Sequence, residues 1–184
     1  MITYEQAVKL VEQNVKGKNR RNHMYAVEAI CRRLAQVYNK DEHIFGLAGL
    51  LHDIDYDQTA KDPKQHSIIG SNFLKEQGLP DNIVYAVKVH NAAHGLPRIS
   101  LLDKVLYAAD PLSGLIVASA LIHPSKKIKN INKDSVMRRF AEKTFARGAN
   151  RNQIKACEEF GMTLEQFIGY GYEAMLNIAE KLGL

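Results

Sequence analysis

Seven histidines stand in this 184-residue sequence, and several fall beside aspartates in apolar surroundings. His52-Asp53 closes the run Ile44-Phe45-Gly46-Leu47-Ala48-Gly49-Leu50-Leu51. Burying an imidazole and a carboxylate side by side costs free energy unless each finds a partner. A divalent cation satisfies both, because neutral imidazole nitrogen and carboxylate oxygen suit iron, manganese, zinc or nickel. His23, just after a polar loop, and Asp110, at the end of Val105-Leu106-Tyr107-Ala108-Ala109, are residues of the same kind in similar settings. Four such side chains from three helices could enclose one metal and leave positions open for water. His66 with His90, bridged by Asp53, would make a second position beside the first. Two metals so placed form a clamp for in-line displacement at phosphorus. His94 stands four residues after His90, so on a continuous helix both rings can reach one place, and either could ligate. The remaining histidines, His43 and His123, read as surface residues.

These side chains need helices to hold them, and the chain reads as helix after helix. Thr3-x-x-Gln6 is a capping-box pattern opening a helix to about Lys16, with Ala7, Leu10, Val11 and Val15 on one face. After Gly17-Lys18-Asn19 a second helix is predicted from about Asn22 to Asn39. Asp41 caps the apolar stretch that ends in His52-Asp53, and its lack of a polar face predicts a central, buried helix. Residues 54–62 read as a polar loop, and Asp62-Pro63 as the start of a helix to about Gln77. Another runs from Pro80-Asp81 to about Ala93. Ser100-x-x-Asp103 opens a long apolar helix to about His123, with a kink expected at Pro111. A basic loop, Ser125 to Lys133, follows. Asp134 caps a helix to about Phe145, a short helix ends near Phe160-Gly161, and Thr163-x-x-Gln166 caps the last, to about Lys181. No segment alternates with period 2 between hairpin turns. The expected fold is all-α, one domain over residues 1–184, with a core at about 18–123 and a C-terminal helical extension at about 134–184.

Composition narrows the class. Apolar residues make up 46% and charged residues 24%, an ordinary globular balance. The net charge of +5 permits anionic ligands without demanding nucleic acid. There is no run of about 18 apolar residues of the kind that spans a bilayer, and the start resembles no secretory leader. Cys31 and Cys157 are too few for a disulfide scaffold or a cysteine zinc site. The expectation is a reduced, cytoplasmic protein with no membrane partner and no specific nucleic-acid partner; a homodimer is compatible with the sequence.

The ordered set His23…His52-Asp53…Asp110 resembles the HD superfamily of metal-dependent phosphohydrolases. Its contexts match as well: Arg20-x-x-His23, Ala48-x-Leu50-Leu51-His52-Asp53 and Lys104-Val105-Leu106-Tyr107-Ala108-Ala109-Asp110. His66 and His90 between them are similar to the dinuclear branch, which includes bacterial bis(nucleosyl)-tetraphosphate hydrolases. The resemblance covers roughly residues 18 to 120. It implies an HD-type helical bundle, with His23, His52, Asp53 and Asp110 on a first metal and Asp53, His66 and His90 on a second. It implies hydrolysis of a phosphoester or phosphoanhydride in a nucleotide or related small phosphorylated metabolite. Asp53 would bridge the metals, Asp110 would orient or deprotonate the water, and His94 would donate to the leaving group or hold a phosphate. Arg20 and Lys104 stand at family-matching positions as phosphate contacts; Arg21, Lys61, Lys64 and the basic loop read as surface charge.

The chain also departs from the family pattern. His52-Asp53-Ile54-Asp55 lacks the glycine of the common His-Asp-Ile-Gly form. The Gly-Tyr-Pro signature of the cyclic-di-GMP phosphodiesterases is missing, as is the lysine that soon follows their His-Asp pair. Two other readings use the same ligand types: a metal-containing nucleotide sensor with little turnover, and a di-iron oxygenase of the inositol-cleaving branch. The arginines and aromatics after residue 134 are left between the site mouth and a partner surface.

Overall fold

Thr3 and Gln6 form the reciprocal cap that opens α1 (Tyr4–Asn14) in the computed structural model, which describes residues 2–184: Gln6 N donates to Thr3 Oγ1 and Thr3 N to Gln6 Oε1. No strand occurs among the described residues, and the fold is all-α. α2 (Lys18–Val37) begins just after Gly17, four residues before the predicted start, so Arg20 and His23 both lie inside the helix. α3 (Glu42–Leu51) is capped by Asp41, whose Oδ1 accepts from the amides of His43 and Ile44. Every residue from Phe45 to Leu51 is buried, as a helix without a polar face must be.

The α2–α3 crossing fixes the geometry of everything that follows. A Cβ on Gly49 would lie 2.8 Å from the Glu28 Cα and 2.9 Å from its nitrogen, so the two helices touch backbone to backbone. That close approach sets the end of α3, where His52 stands, against the middle of α2.

The polar loop predicted at 54–62 is a correction. Ile54 and Asp55 are buried, and a short helix α4 (Tyr56–Thr59) follows. The helix predicted from Pro63 begins five residues later, as α5 (Ile68–Glu76). Asp55 accounts for the shift: its Oδ2 accepts from the amides of Ser67 and Gly70, both at 2.8 Å, and caps α5 from twelve residues away. A Cβ on Gly70 would sit 3.1 Å from the Asp55 Cγ, so the small residue lets that carboxylate in. α6 (Asp81–Val89) is also shorter than predicted. Asn91 is extended, donates through Nδ2 to the Pro63 carbonyl (2.8 Å) and the His66 carbonyl (3.1 Å), and starts a separate 3-10 turn, Ala92–His94. This is local side-chain competition with the helix ladder, and it takes His94 off the helix that carries His90.

α7 (Leu101–Ile122) opens with the expected Ser100/Asp103 capping box and runs unbroken through Pro111. Proline lacks the N–H that would bond the Tyr107 carbonyl four residues back; Gln153 Nε2 donates to that oxygen instead, at 2.8 Å. By length and composition α7 could cross a membrane, but most of it is buried against other helices as the central core element. α8 (Lys133–Ala141) is capped by Asn132 rather than Asp134 and ends before Phe145. α9 (Arg151–Lys155), a 3-10 turn (Ala156–Phe160), α10 (Leu164–Asn177) and α11 (Ala179–Leu182) complete the chain. α10 packs on α2, α7 and α8, with Phe167 fully buried and Gly171 against Leu112, so buried residues from Ala7 to Leu182 form one hydrophobic cluster.

Candidate metal centre

Four imidazoles and two carboxylates from different elements converge where α2, the end of α3, the turn before α5, the end of α6 and the middle of α7 meet. His23 Nε2 lies 3.2 Å from His52 Nε2 and 3.1 Å from Asp110 Oδ1. Asp53 stands at the centre. Its Oδ1 is 3.6 Å from His52 Nε2, 3.4 Å from His66 Nε2 and 3.8 Å from His90 Nε2; its Oδ2 is 3.7 Å from His23 Nε2. His52, Asp53 and His90 are buried, while His23, His66 and Asp110 are partly exposed, so the cluster opens to solvent along one edge.

The opposite ring nitrogens show what this arrangement is for. His52 Nδ1–H donates to the Gly49 carbonyl (2.8 Å) and His90 Nδ1–H to the Val87 carbonyl (2.6 Å). The Ser113 hydroxyl donates to the Asp110 carbonyl (2.8 Å), so its oxygen is left to accept from His23 Nδ1–H (2.9 Å). His66 Nδ1–H donates to Asp55 Oδ1 (2.9 Å). In all four rings the proton is thereby placed on Nδ1, and the Nε2 lone pairs face inward around Asp53. Lone pairs facing one another at such distances need positive charge between them, and acceptors behind each ring are the usual support of metal-ligating histidine. Two groupings have the reach to hold an ion: His23, His52 and Asp110; and His52, Asp53 and His90. The donor set, imidazole nitrogen with carboxylate oxygen, fits a divalent transition metal.

Electrostatics agree with this reading. Burial pushes the His52 imidazole down to about 4, so it is neutral and ready to donate at pH 7. For Asp53 burial acts upward, but the surrounding imidazoles, His52 foremost, outweigh it and hold the carboxyl well below its ordinary range. Asp110 is lowered in the same way, by its hydrogen bond with His23 against the effect of burial. His23 and His90 are raised: burial acts downward on both, and the carboxylates of Asp110 and Asp53 respectively overcome it. The carboxylates thus make both rings stronger proton acceptors than a free imidazole.

The other site residues fall into two groups. Arg20 joins the cluster: its Nη1 donates to Asp53 Oδ2 at 3.0 Å, and its guanidinium stacks 3.3 Å above the Tyr56 ring. Lys104 and His94 stand apart from it. Lys104 Nζ lies 3.5 Å from the Glu159 carbonyl, on the face of α7 that packs against the C-terminal helices. His94 Nε2 lies 2.8 Å from the His66 carbonyl and 3.1 Å from Ser67 Oγ, so its ring braces the His66 segment from behind. Of the two candidates four residues apart, His90 is the one whose Nε2 faces Asp53. Arg151 is turned inward onto six carbonyls of the 139–149 segment and makes no site mouth.

Two contributors were not anticipated. Asp55 orients His66 and caps α5 at once; the signal was present as an acidic residue where the family form has glycine, and it read as a loop residue. Ser113, which sets the His23 tautomer, carries no sequence signal beyond its place three residues after Asp110.

Comparison with known proteins points to one family. Ribonuclease Y of Desulfotalea psychrophila is 38% identical over 98 residues, which is 53% of this chain and 18% of that protein. Ribonuclease Y of Oleidesulfovibrio alaskensis is 33% identical over 100 residues, with the same coverage. The chain thus spans less than a fifth of the length of these relatives. No solved structure matches. The family description "HD domain" matches residues 20–115, just over half of the chain and the segment that holds every residue of the cluster, and the protein belongs to the HD domain family.

Proposed function

We propose that this protein is a metal-dependent phosphohydrolase that cleaves a phosphoester or phosphoanhydride bond in a nucleotide or related small phosphorylated metabolite. The observation that carries the reading is the set of four inward-facing Nε2 atoms around Asp53, each with its Nδ1 proton tied back to an acceptor. His23, His52, Asp53 and Asp110 would hold one divalent cation, and Asp53, His66 and His90 a second. Bound there, such ions supply a water acidified towards a pKa of about 7 and neutralise charge on phosphoryl oxygens.

The chain's own groups do the rest. Asp110 lies on the open edge of the cluster, where its carboxylate can accept the proton of an attacking water and orient it. Arg20 is anchored on Asp53 and Tyr56 and presents guanidinium N–H groups for phosphoryl oxygens, a pairing that Lys could not reproduce bidentately. The buried His52 and His90 exclude water from the inner wall. The setting that goes with this reading is cytoplasmic, with a small phosphorylated substrate and no membrane or specific nucleic-acid partner.

The test is a metal count together with turnover. Protein loaded with iron, manganese, cobalt or nickel should release phosphate or a nucleotide from some member of a panel of nucleotides and phosphoesters. Asp53→Ala should lose both bound metal and turnover. Full metal loading with no turnover on any phosphate compound overturns the enzyme reading in favour of a nucleotide sensor, and oxygen uptake with a polyol points to the oxygenase. A second reading, cleavage of RNA, is favoured by the relatives named ribonuclease Y; hydrolysis of an oligoribonucleotide with no action on mononucleotides would establish it.

A further inference from the structure

A cavity that the ligand chemistry does not account for shares one wall residue, His23, with the centre. It measures about 300 Å³. On the α7 side it is lined by Gly114, Val117 and Leu121, which lie four, seven and eleven residues after Asp110 and therefore on the same helical face. On the α2 side it is lined by Asn19, three residues before Asn22 and four before His23, and by Asn22, which directly precedes His23. Leu182 and Leu184 close it. Asn22 Nδ2 donates to the Leu182 carbonyl at 3.1 Å, which fixes the plane of its amide and leaves its oxygen able to accept.

Gly114 is the telling residue. Glycine within a helix costs about 0.5–1 kcal/mol relative to alanine. Gly46, Gly49, Gly70 and Gly171 each have a neighbour that a Cβ would strike, which explains them. A Cβ on Gly114 would meet nothing within 4 Å; Gly169 in α10 is nearly as free, with only the Lys133 Cδ at 3.9 Å, but it lines neither the centre nor this cavity. Packing within the chain therefore gives no reason for glycine here, one turn along α7 from a metal-facing carboxylate.

We propose that this cavity is the subsite for the nucleobase of the substrate, with Gly114 keeping room for the ring. The inference rests on the phosphohydrolase reading and adds to it where the non-reacting part of the substrate binds. Aliphatic walls from Val117, Leu121 and Leu184 suit the two faces of a planar ring, and the carboxamides of Asn19 and Asn22 suit the donor and acceptor edge of a base. The volume lies at the lower end of the range for small-ligand sites, enough for one base and not for a dinucleotide.

The test is binding of the four ribonucleoside 5′-monophosphates and of ribose 5-phosphate, which lacks the base, to manganese-loaded wild type and Gly114→Leu, followed by calorimetry. In wild type at least one nucleotide should bind about tenfold or more tightly than ribose 5-phosphate. In Gly114→Leu that preference should collapse, because the leucine side chain fills the space the ring needs. Unfolding temperature controls for folding, and since the added side chain meets open space in a helix it should not fall. Asn22→Ala should narrow the preference without filling the cavity. Equal binding of nucleotides and ribose 5-phosphate by wild type, or an undiminished preference in Gly114→Leu, overturns the proposal. If the base preference is present and is lost in Gly114→Leu but no phosphate compound is hydrolysed, the subsite stands and the hydrolase reading fails.

Discussion

Asp53 accepts from Arg20 and faces four imidazoles, so its carboxylate is the centre about which the inward-facing nitrogens are arranged. Its removal leaves the imidazoles without the carboxylate that draws a cation between them. Asp55 acts one step further out. Asp55→Asn keeps the shape but offers His66 Nδ1–H either an amide oxygen, at the expense of the Ser67 and Gly70 amides, or an opposing N–H. Affinity for the second metal equivalent should fall about 10- to 100-fold, with the first equivalent little changed, as read by metal titration. Loss of both equivalents together would assign Asp55 to the fold rather than to His66. Arg151 serves the fold alone. It donates to six carbonyls, and lysine has three donors and no planar fork, so Arg151→Lys should cost about 1–3 kcal/mol in denaturant unfolding with metal content unchanged.

Between elements, the contact that decides the site is the α2–α3 crossing at Gly49. The Glu28 backbone lies where a Cβ would go, and neither helix can yield by turning a side chain aside. Gly49→Ala should therefore destabilise the protein by about 1–3 kcal/mol. It should also weaken metal binding, because His23 and His52 ride on the two helices that are forced apart. A variant with normal metal affinity and lowered stability would show that the cluster tolerates the shift. The Asp55 cap is the second such contact. It joins the segment after α3 to the start of α5, and so couples the placement of Asp53 to that of His66.

For the molecule as a whole, metal, protons and stability are linked. Carboxylates hold His23 and His90 above their ordinary value of 6.5, and a cation must displace whatever protons they carry. Apparent metal affinity should therefore rise with pH through and above 6.5, by about tenfold per unit for each proton displaced, and level off once both rings are neutral. Titrations at a series of pH values, with proton release measured in weakly buffered solution, test the sign; affinity independent of pH would mean that the rings are already neutral without metal. Because the ligands come from α2, α3, α6, α7 and the turn before α5, bound metal should also stabilise the folded chain. A free concentration 100-fold above the dissociation constant corresponds to about 2.7 kcal/mol. The unfolding temperature should rise on loading and fall on chelation.

Much of this was present in the order of residues. Periodicity and caps identified the helices because those signals are local: Thr3, Asp41, Ser100 and Thr163 bond to amides two or three residues away. The metal ligands were legible because histidine and aspartate in apolar runs have no comfortable alternative to a shared partner. What the sequence could not determine depended on contacts across many residues. Asp55 reaches 12 and 15 residues to the amides of Ser67 and Gly70, so the start of α5 is decided by a carboxylate outside it. Asn91 bonds 25 and 28 residues back and ends the helix that local pattern extends from His90 to His94. Lys104 shares a helix with Asp110 but lies on the side that packs on the C-terminal segment. Residue type named the chemistry of this protein; tertiary structure decided which of those residues share a site, because only the packed helices determine the direction in which each lone pair points.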